Sequence, residues 1–283
     1  MKNQKDYSLV NCIATALIAC FITVPGHELL HLLTHMVYGS KLLYYSAGAV
    51  DATVADWTRL SVFDRIMVAG GSASIINALI AIILLIVLLK SKTLKPMTRL
   101  FLTQLMGAQF VQGIGYFLIG GLFSAGDWGS VFERIRDVPN LVTVLRIVLS
   151  VLGCGGIVAL FFILNYLSYS FIENKDDRQE RRSVGFRLHM TVFIVGVAIG
   201  LICSGLSPAM KDGYLNWGMC ILFNFMWIPF LWGWLFTGFL VKPPQSSRFL
   251  YKLPSEPNWI LLAVGIILAL VEMILFGPGI YLG

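Results

Sequence analysis

Residues 24–39 read VPGHELLHLLTHMVYG, an apolar run that contains an H-E-x-x-H pattern. This run carries Glu28 and three of the four histidines in the chain, His27, His31 and His35. Ionisable side chains are costly inside a membrane and usually have a function there. The fold therefore depends on whether this run crosses a bilayer, and the function depends on what its polar side chains bind.

The composition is that of a membrane protein. Of the 283 residues, 57% are hydrophobic and 13% are charged, and the mean hydropathy is +0.79. Soluble domains carry about 25% charged residues. Apolar stretches of about 18 or more residues predict transmembrane helices. The predicted fold class is an all-α polytopic membrane protein with about seven transmembrane helices, near residues 8–37, 62–89, 99–123, 141–171, 189–207, 214–241 and 258–281.

The basic residues predict the orientation, because cytoplasmic loops carry an excess of Lys and Arg. With the N-terminus inside, the cytoplasmic segments hold 14 of the 21 basic residues: Lys2, Lys5, Lys90, Lys92, Lys95, Arg99, Lys175, Arg178, Arg181, Arg182, Arg187, Lys242, Arg248 and Lys252. We expect a multi-pass protein of the plasma membrane with a cytoplasmic N-terminus and an extracytoplasmic C-terminus. Contact with anionic lipid of the bilayer accounts for the net charge of +6, so no nucleic-acid partner is expected.

The HELLH pattern predicts one half of a metal site. Side chains four residues apart lie on the same face of a helix, so His27 and His31 can direct their imidazoles at one metal ion. Glu28 lies at the edge of that face, where it can accept a proton from a catalytic water. The alternative is a group of histidines at a helix end, solvated at the level of the headgroups.

The other two histidines fit this site less well. His35 lies about 12 Å from His27 along a helix that rises 1.5 Å per residue, whereas Zn–N bonds are about 2.0–2.1 Å long. We interpret His35 as a residue that supports the ligands or lines the entrance. His189 is expected at the membrane interface, after the polar stretch ENKDDRQERR, which is expected to form a loop.

Asp127 is the predicted third ligand, since a catalytic zinc ion needs three protein ligands and one open position. The first helix runs outward, and the third helix ends on the same outer side with SAGDWGS. Gly126 beside Asp127 would allow a close approach of the backbone. Two alternatives stay open: Asp127 is an ordinary loop residue, or Glu272 in the last helix is the ligand or a proton relay.

Three blocks of the sequence resemble the site-2 protease family of intramembrane zinc metalloproteases. HELLHLLTHMVYGSKLL is similar to the family's H-E-x-G-H helix, VAGGSASIINALIA to its A-G-P-x-x-N segment, and GDWG to its D-G element. These blocks lie within residues 20–130. Gly71 and Ser74 stand where the family has proline and asparagine, so the second block departs from the pattern.

The resemblance implies an enzyme that hydrolyses peptide bonds of membrane-embedded substrates. Zn²⁺ would be held by His27, His31 and Asp127, and Glu28 would be the general base. The partner would be a membrane-spanning protein or peptide. The alternative is a non-proteolytic transporter or metal-binding membrane protein that uses the same histidines.

The resemblance also divides the chain. Residues 1–140 would form a catalytic core of three helices, and residues 141–283 would add accessory transmembrane helices. Ser74 and Asn77 would support the ligands or the substrate, although Asn77 could instead only join two helices. The segment YGSKLLYYSAGAV is expected to form an edge strand or re-entrant hairpin, or alternatively an interfacial loop.

Overall fold

The structure is a computed structural model that describes residues 6–91, 93–213, 215–239 and 251–283. In this part of the chain, seven helices are long and apolar enough to cross a membrane. The helices are α1 (Ser8–Val37), α2 (Val62–Lys90), α3 (Pro96–Phe123), α4 (Gly126–Arg134), α5 (Pro139–Phe171), α6 (Arg178–Leu206), α7 (Trp217–Phe236, helical to Phe239) and α8 (Trp259–Phe276). Helix α4 is too short to span, as are the 3-10 helix Trp57–Arg59 and the four-residue helix Pro208–Lys211. The prediction of a helical, multi-pass membrane protein is therefore confirmed at this level.

Helix α3 forms the centre of the bundle. It packs against α1, α2 and α5, and 78% of its apolar window is buried, compared with 22% for α5 and 17% for α8. Glycine allows this close packing: a Cβ atom on Gly113 would lie 2.5 Å from the backbone nitrogen of Ala78. Helices α2 and α3 thus meet backbone to backbone, as small residues permit between membrane helices.

A small antiparallel sheet makes the all-α fold class incomplete. Its strands are β1 (Lys41–Tyr45), β2 (Val50–Thr53) and β3 (Ile280–Tyr281), in the order β2-β1-β3. The predicted hairpin is confirmed, and the alternative of an interfacial loop is wrong. The aromatic and β-branched residues of these segments favour strands. Since α8 ends at Phe276, the last predicted helix, over 258–281, was too long.

The turn of the hairpin is inserted between the helices. The hydroxyl of Tyr45 donates a hydrogen bond to the carbonyl of Pro25 in α1 (2.7 Å). The backbone N–H of Ala47 donates to the carbonyl of Phe276 at the end of α8 (2.7 Å). Because both bonds are made to spanning helices, the hairpin is fixed to the bundle rather than lying free above it.

The fifth spanning helix begins about three helical turns before the predicted position near residue 189, because α6 starts at Arg178. The second half of the polar stretch predicted as a loop, from Arg178 onward, therefore belongs to a helix, which Asp177 caps by accepting a backbone N–H of the first turn. Whether His189 lies at the level of the membrane interface stays a prediction, but it does not face the headgroups. Its side chain is buried, and its Nε2 lies 2.6 Å from Ser168 Oγ.

Helices α1 and α8 run parallel. At one end the backbone N–H of Tyr7 donates to the carbonyl of Ser255 (3.0 Å), and at the other end β1 pairs with β3. The first and last described residues therefore lie at opposite ends of the bundle. Which end is cytoplasmic stays a prediction. Some of the basic residues that predict the orientation lie outside the described ranges: Lys2, Lys5, Lys92, Lys242 and Arg248. Tyr214 and residues 240–241 of the sixth predicted helix also lie outside them.

Candidate metal centre

The centre begins with two histidines on one face of α1. His27 and His31 are both buried, and their rings lie edge to face with centroids 4.9 Å apart. Their Nε2 atoms approach to 3.2 Å. The i, i+4 spacing of the HELLH motif produces this proximity on a regular helix.

Asp127 joins the two histidines from the first turn of α4. The chain leaves α3 through Ser124 and Gly126, which both have positive φ angles (51° and 63°), and so turns back towards α1. Asp127 Oδ2 lies 3.0 Å from His27 Nε2 and 3.3 Å from His31 Nε2. The structure therefore brings together the three residues that the sequence predicted as ligands.

Gly70 in α2 makes room for Asp127. Its φ angle is 148°, where α2 is broken, and a Cβ atom there would lie 2.7 Å from Asp127 Cβ. Only glycine adopts such a conformation readily, and only a residue without a side chain leaves space for the aspartate. Sequence reasoning did not identify Gly70; the glycine pair in VAGG was the available signal.

The electrostatic environment keeps Asp127 ionised. Burial alone would raise the pKa of its carboxyl group, but the adjacent imidazoles of His31 and His27 outweigh burial, so the pKa lies below its usual value. Asp127 belongs to α4, which does not span the membrane. A carboxylate rather than a carboxylic acid therefore faces the two imidazoles.

The three groups have the dimensions of a tetrahedral metal site. Ligands at about 2.0–2.1 Å from a tetrahedral ion are separated from one another by about 3.3 Å. The separations among His27 Nε2, His31 Nε2 and Asp127 Oδ2 are 3.0, 3.2 and 3.3 Å. This group could hold a metal ion, and two imidazoles with one carboxylate leave a fourth position open.

Asn77 and Tyr116 fix the orientation of His27. Asn77 Nδ2 lies 2.8 Å from His27 Nδ1. A half-turn of the amide exchanges its oxygen and nitrogen, so that Oδ1 accepts the Nδ1–H bond of a histidine that binds metal through Nε2. The Tyr116 ring stacks on His27 with centroids 4.6 Å apart. The sequence had indicated Asn77 but not Tyr116.

Ser74 forms no hydrogen bond with the histidines or the aspartate among the described residues. Its Oγ accepts a hydrogen bond from the indole Nε1–H of Trp128 (3.0 Å). Ser74 is a position at which the sequence departs from the site-2 protease pattern, and it contacts Trp128, which stands between Asp127 and the second glycine of GDWG. Ser74 thus holds the residue next to Asp127, rather than a ligand.

A cavity of about 450 Å³ opens beside these groups, and we call it the main cavity because it adjoins the metal group. Glu28, His31, His35 and Asp127 all line it. His35 Nδ1 lies 3.1 Å from Ser40 Oγ, and His35 is outside the group of three that could hold a metal. His35 therefore lies in the wall of the cavity, where its role at an entrance stays a prediction, and Glu28 shares this cavity with His31 and Asp127.

Glu272 lies apart from this centre. It is fully buried at the π-helical end of α8, and neither carboxylate oxygen has a hydrogen-bond partner among the described residues. It is also absent from the lining of the main cavity. The structure therefore does not bring Glu272 to the histidines as a ligand.

Fold and centre together define a multi-pass membrane protein in which two buried histidines and one partly buried aspartate could hold a metal ion. A scan against protein-family models found no matching family. Searches of curated proteins and of solved structures also found no match.

Proposed function

We propose that this protein is an intramembrane zinc metalloprotease similar to the site-2 proteases. One observation carries the proposal: His27, His31 and Asp127 have ligand atoms within 4.8 Å of one another, next to Glu28, on helices of a membrane-embedded bundle. A group of histidines solvated at a helix end would not need buried imidazoles facing a partly buried carboxylate.

Each polar residue of the centre has a defined role in this proposal. His27, His31 and Asp127 would hold zinc, which when bound supplies Lewis acidity for attack on a carbonyl. Glu28 accepts a proton from the attacking water and delivers it to the amine that leaves. Asn77 keeps the His27 ring in the orientation that binds through Nε2.

The main cavity suits an extended peptide. Val50 and Asp51 of β2 line it, and β2 has one neighbour, β1, in the described sheet. An unpaired strand edge can add a further strand by main-chain hydrogen bonds. Because the carbonyls of an intact helix are already bonded within the helix, a membrane-spanning substrate would have to unwind before it enters.

A transporter built on the same histidines is the second candidate, and it requires a continuous polar path. Glu272 and Arg146 would have to converge with the histidines on that path. Glu272 is instead enclosed in α8, and Arg146 lines a separate groove with Thr143 and Ser150. This arrangement favours the protease over the transporter.

We also retain the cytoplasmic N-terminus, extracytoplasmic C-terminus and plasma membrane as parts of the proposal.

The test combines metal analysis with proteolysis in reconstituted vesicles. Purified protein is expected to contain one zinc ion per chain and to cleave a transmembrane peptide library. The matched variants are Glu28→Gln and Asp127→Ala: the first should retain zinc and lose cleavage, and the second should lose both. Cleavage that persists in Glu28→Gln would contradict the proposal.

A further inference from the structure

A second, smaller cavity is also lined by Glu28, and we call it the polar chamber. The space open to water is about 50 Å³, and its polar lining consists of His27, Glu28, Gln112, Ser204 and Asn224. Glu28 lines both the polar chamber and the main cavity. Gly48, Tyr116 and Phe223 also line both, so the two cavities adjoin each other at Glu28 and these residues.

Two hydrogen-bond acceptors in the polar chamber have no protein partner. Gln112 Oε1 and Asn224 Oδ1 are buried and unbonded among the described residues. Asn224 Nδ2 donates to the carbonyl of Cys220 (2.8 Å), which fixes the direction of the amide. A buried acceptor without a partner costs about 1–3 kcal/mol. Such groups in polar cavities are satisfied by buried water.

The backbone preserves the space around one of these acceptors. A Cβ atom on Gly200 would approach Asn224 Oδ1 to 3.0 Å. One water needs about 10–15 Å³ of such space, so a chamber of about 50 Å³ accommodates more than one. The volume of the chamber and its unbonded acceptors therefore both indicate water as the ligand.

We propose that the polar chamber is a water-binding site, and that Gln112 and Asn224 are positioning residues that present water to Glu28. The role in catalysis rests on the proposed protease function. Hydrolysis consumes one water per peptide bond: its OH adds to the carbonyl carbon, and its proton goes through Glu28 to the amine. A peptide in the main cavity would displace water from it, whereas the polar chamber would keep water next to Glu28.

Radiolytic footprinting tests the water site directly, and it needs neither substrate nor zinc. X-ray pulses turn bound water into hydroxyl radicals, which oxidise adjacent side chains such as Met226, a buried residue that lines the polar chamber. Met106 is equally buried and lies outside the chamber lining, so it is the internal control. We expect Met226 to be oxidised several-fold faster than Met106, and this excess to disappear in Asn224→Leu. Equal rates in the wild-type protein would overturn the proposal.

The catalytic role is tested by kinetics of Gln112→Leu and Asn224→Leu. Each should lower kcat about tenfold, which corresponds to one lost hydrogen bond of about 1.4 kcal/mol, with KM and zinc content unchanged. The control is Gln109→Leu. Gln109 is a buried glutamine of α3 whose Oε1 also lacks a partner, but it does not line the chamber. An unchanged kcat in both variants would overturn the positioning role. Absence of proteolysis in wild-type protein would instead refute the proposed function, while footprinting still decides the water site.

Discussion

Asp127 and Glu272 are two carboxyl groups inside one membrane-embedded bundle, with opposite surroundings. Asp127 faces two imidazoles and the main cavity. Glu272 is fully buried, and both of its oxygens lack a partner among the described residues. A polar group buried without a partner is a cost to folding. Asp127 is therefore placed to bind a metal ion, whereas no hydrogen bond within the described residues offsets the cost of burying the Glu272 carboxyl group.

The comparison also shows how the centre is assembled from distant segments. His27 and His31 come from α1, Asn77 from α2 and Asp127 from α4. The contacts depend on a close approach between α2 and α4 at Gly70. Glu272 has no comparable set of polar neighbours. Variants at these positions should consequently affect metal binding and stability in different ways.

The largest effect is expected for Gly70→Ala. A Cβ atom there would lie 2.7 Å from Asp127 Cβ, and the φ angle of 148° is strained for alanine. Asp127 would be displaced, and a displacement of about 1 Å at a reacting centre costs about 100-fold in activity. We expect zinc to be lost, as measured by atomic spectrometry of purified protein. Gly155→Ala is the control, because a Cβ on Gly155 meets nothing within 4 Å; normal zinc content in Gly70→Ala would contradict the account.

A smaller loss is expected for Asn77→Leu. The substitution removes the hydrogen bond to His27 Nδ1, and partners of this kind contribute about 10–100-fold to metal affinity. Competition with a fluorescent chelator measures the affinity for zinc. Ser74→Ala is the matched control in the same helix, since Ser74 bonds Trp128 and not a histidine. Equal zinc affinities for the two variants would mean that Asn77 only joins helices.

Glu272→Met is expected to stabilise the protein, whereas the two variants above weaken zinc binding. Replacing a buried, unpartnered carboxyl group by an apolar side chain of similar volume removes a cost of about 1–3 kcal/mol. We expect a higher Tm in detergent, measured by thermal unfolding, with unchanged zinc content. Loss of zinc from this variant would make Glu272 a ligand and remove the contrast with Asp127.

The smallest effect on the metal is expected for His35→Ala. His35 lines the main cavity and contacts Ser40, but it is outside the group that could hold a metal. Zinc content should be unchanged, while KM for a peptide substrate should rise because the cavity wall has changed. Titration with a peptide of fixed sequence measures the difference; zinc release would instead assign His35 as a ligand.

The sequence predicted those features that depend on local periodicity. The spacing of His27 and His31 fixes their proximity on any regular helix, and the length of the apolar runs predicts the spanning helices. Asp127 followed from the alternation of helix directions. These are arguments about one helix or the order of helices, and they need no knowledge of side-chain packing.

The features that the sequence did not predict depend on packing between distant segments. The strand β3 pairs with β1 across more than 230 residues of chain, and no local pattern in PGIYLG indicates that pairing. His189 is buried because α6 begins earlier than its apolar run and packs against Ser168. The role of Gly70 requires knowing where α4 lies. Such contacts are set by tertiary structure, which overrides local propensity.

X-ray absorption at the zinc edge tests the central claim most directly. Purified wild-type protein is expected to show zinc with two imidazole ligands and further light-atom ligands, all at about 2.0–2.1 Å. The same spectrum is expected for Glu272→Gln, and no bound zinc for Asp127→Ala. A sulfur ligand at about 2.3 Å, or an unchanged spectrum in Asp127→Ala, would contradict a centre built from His27, His31 and Asp127.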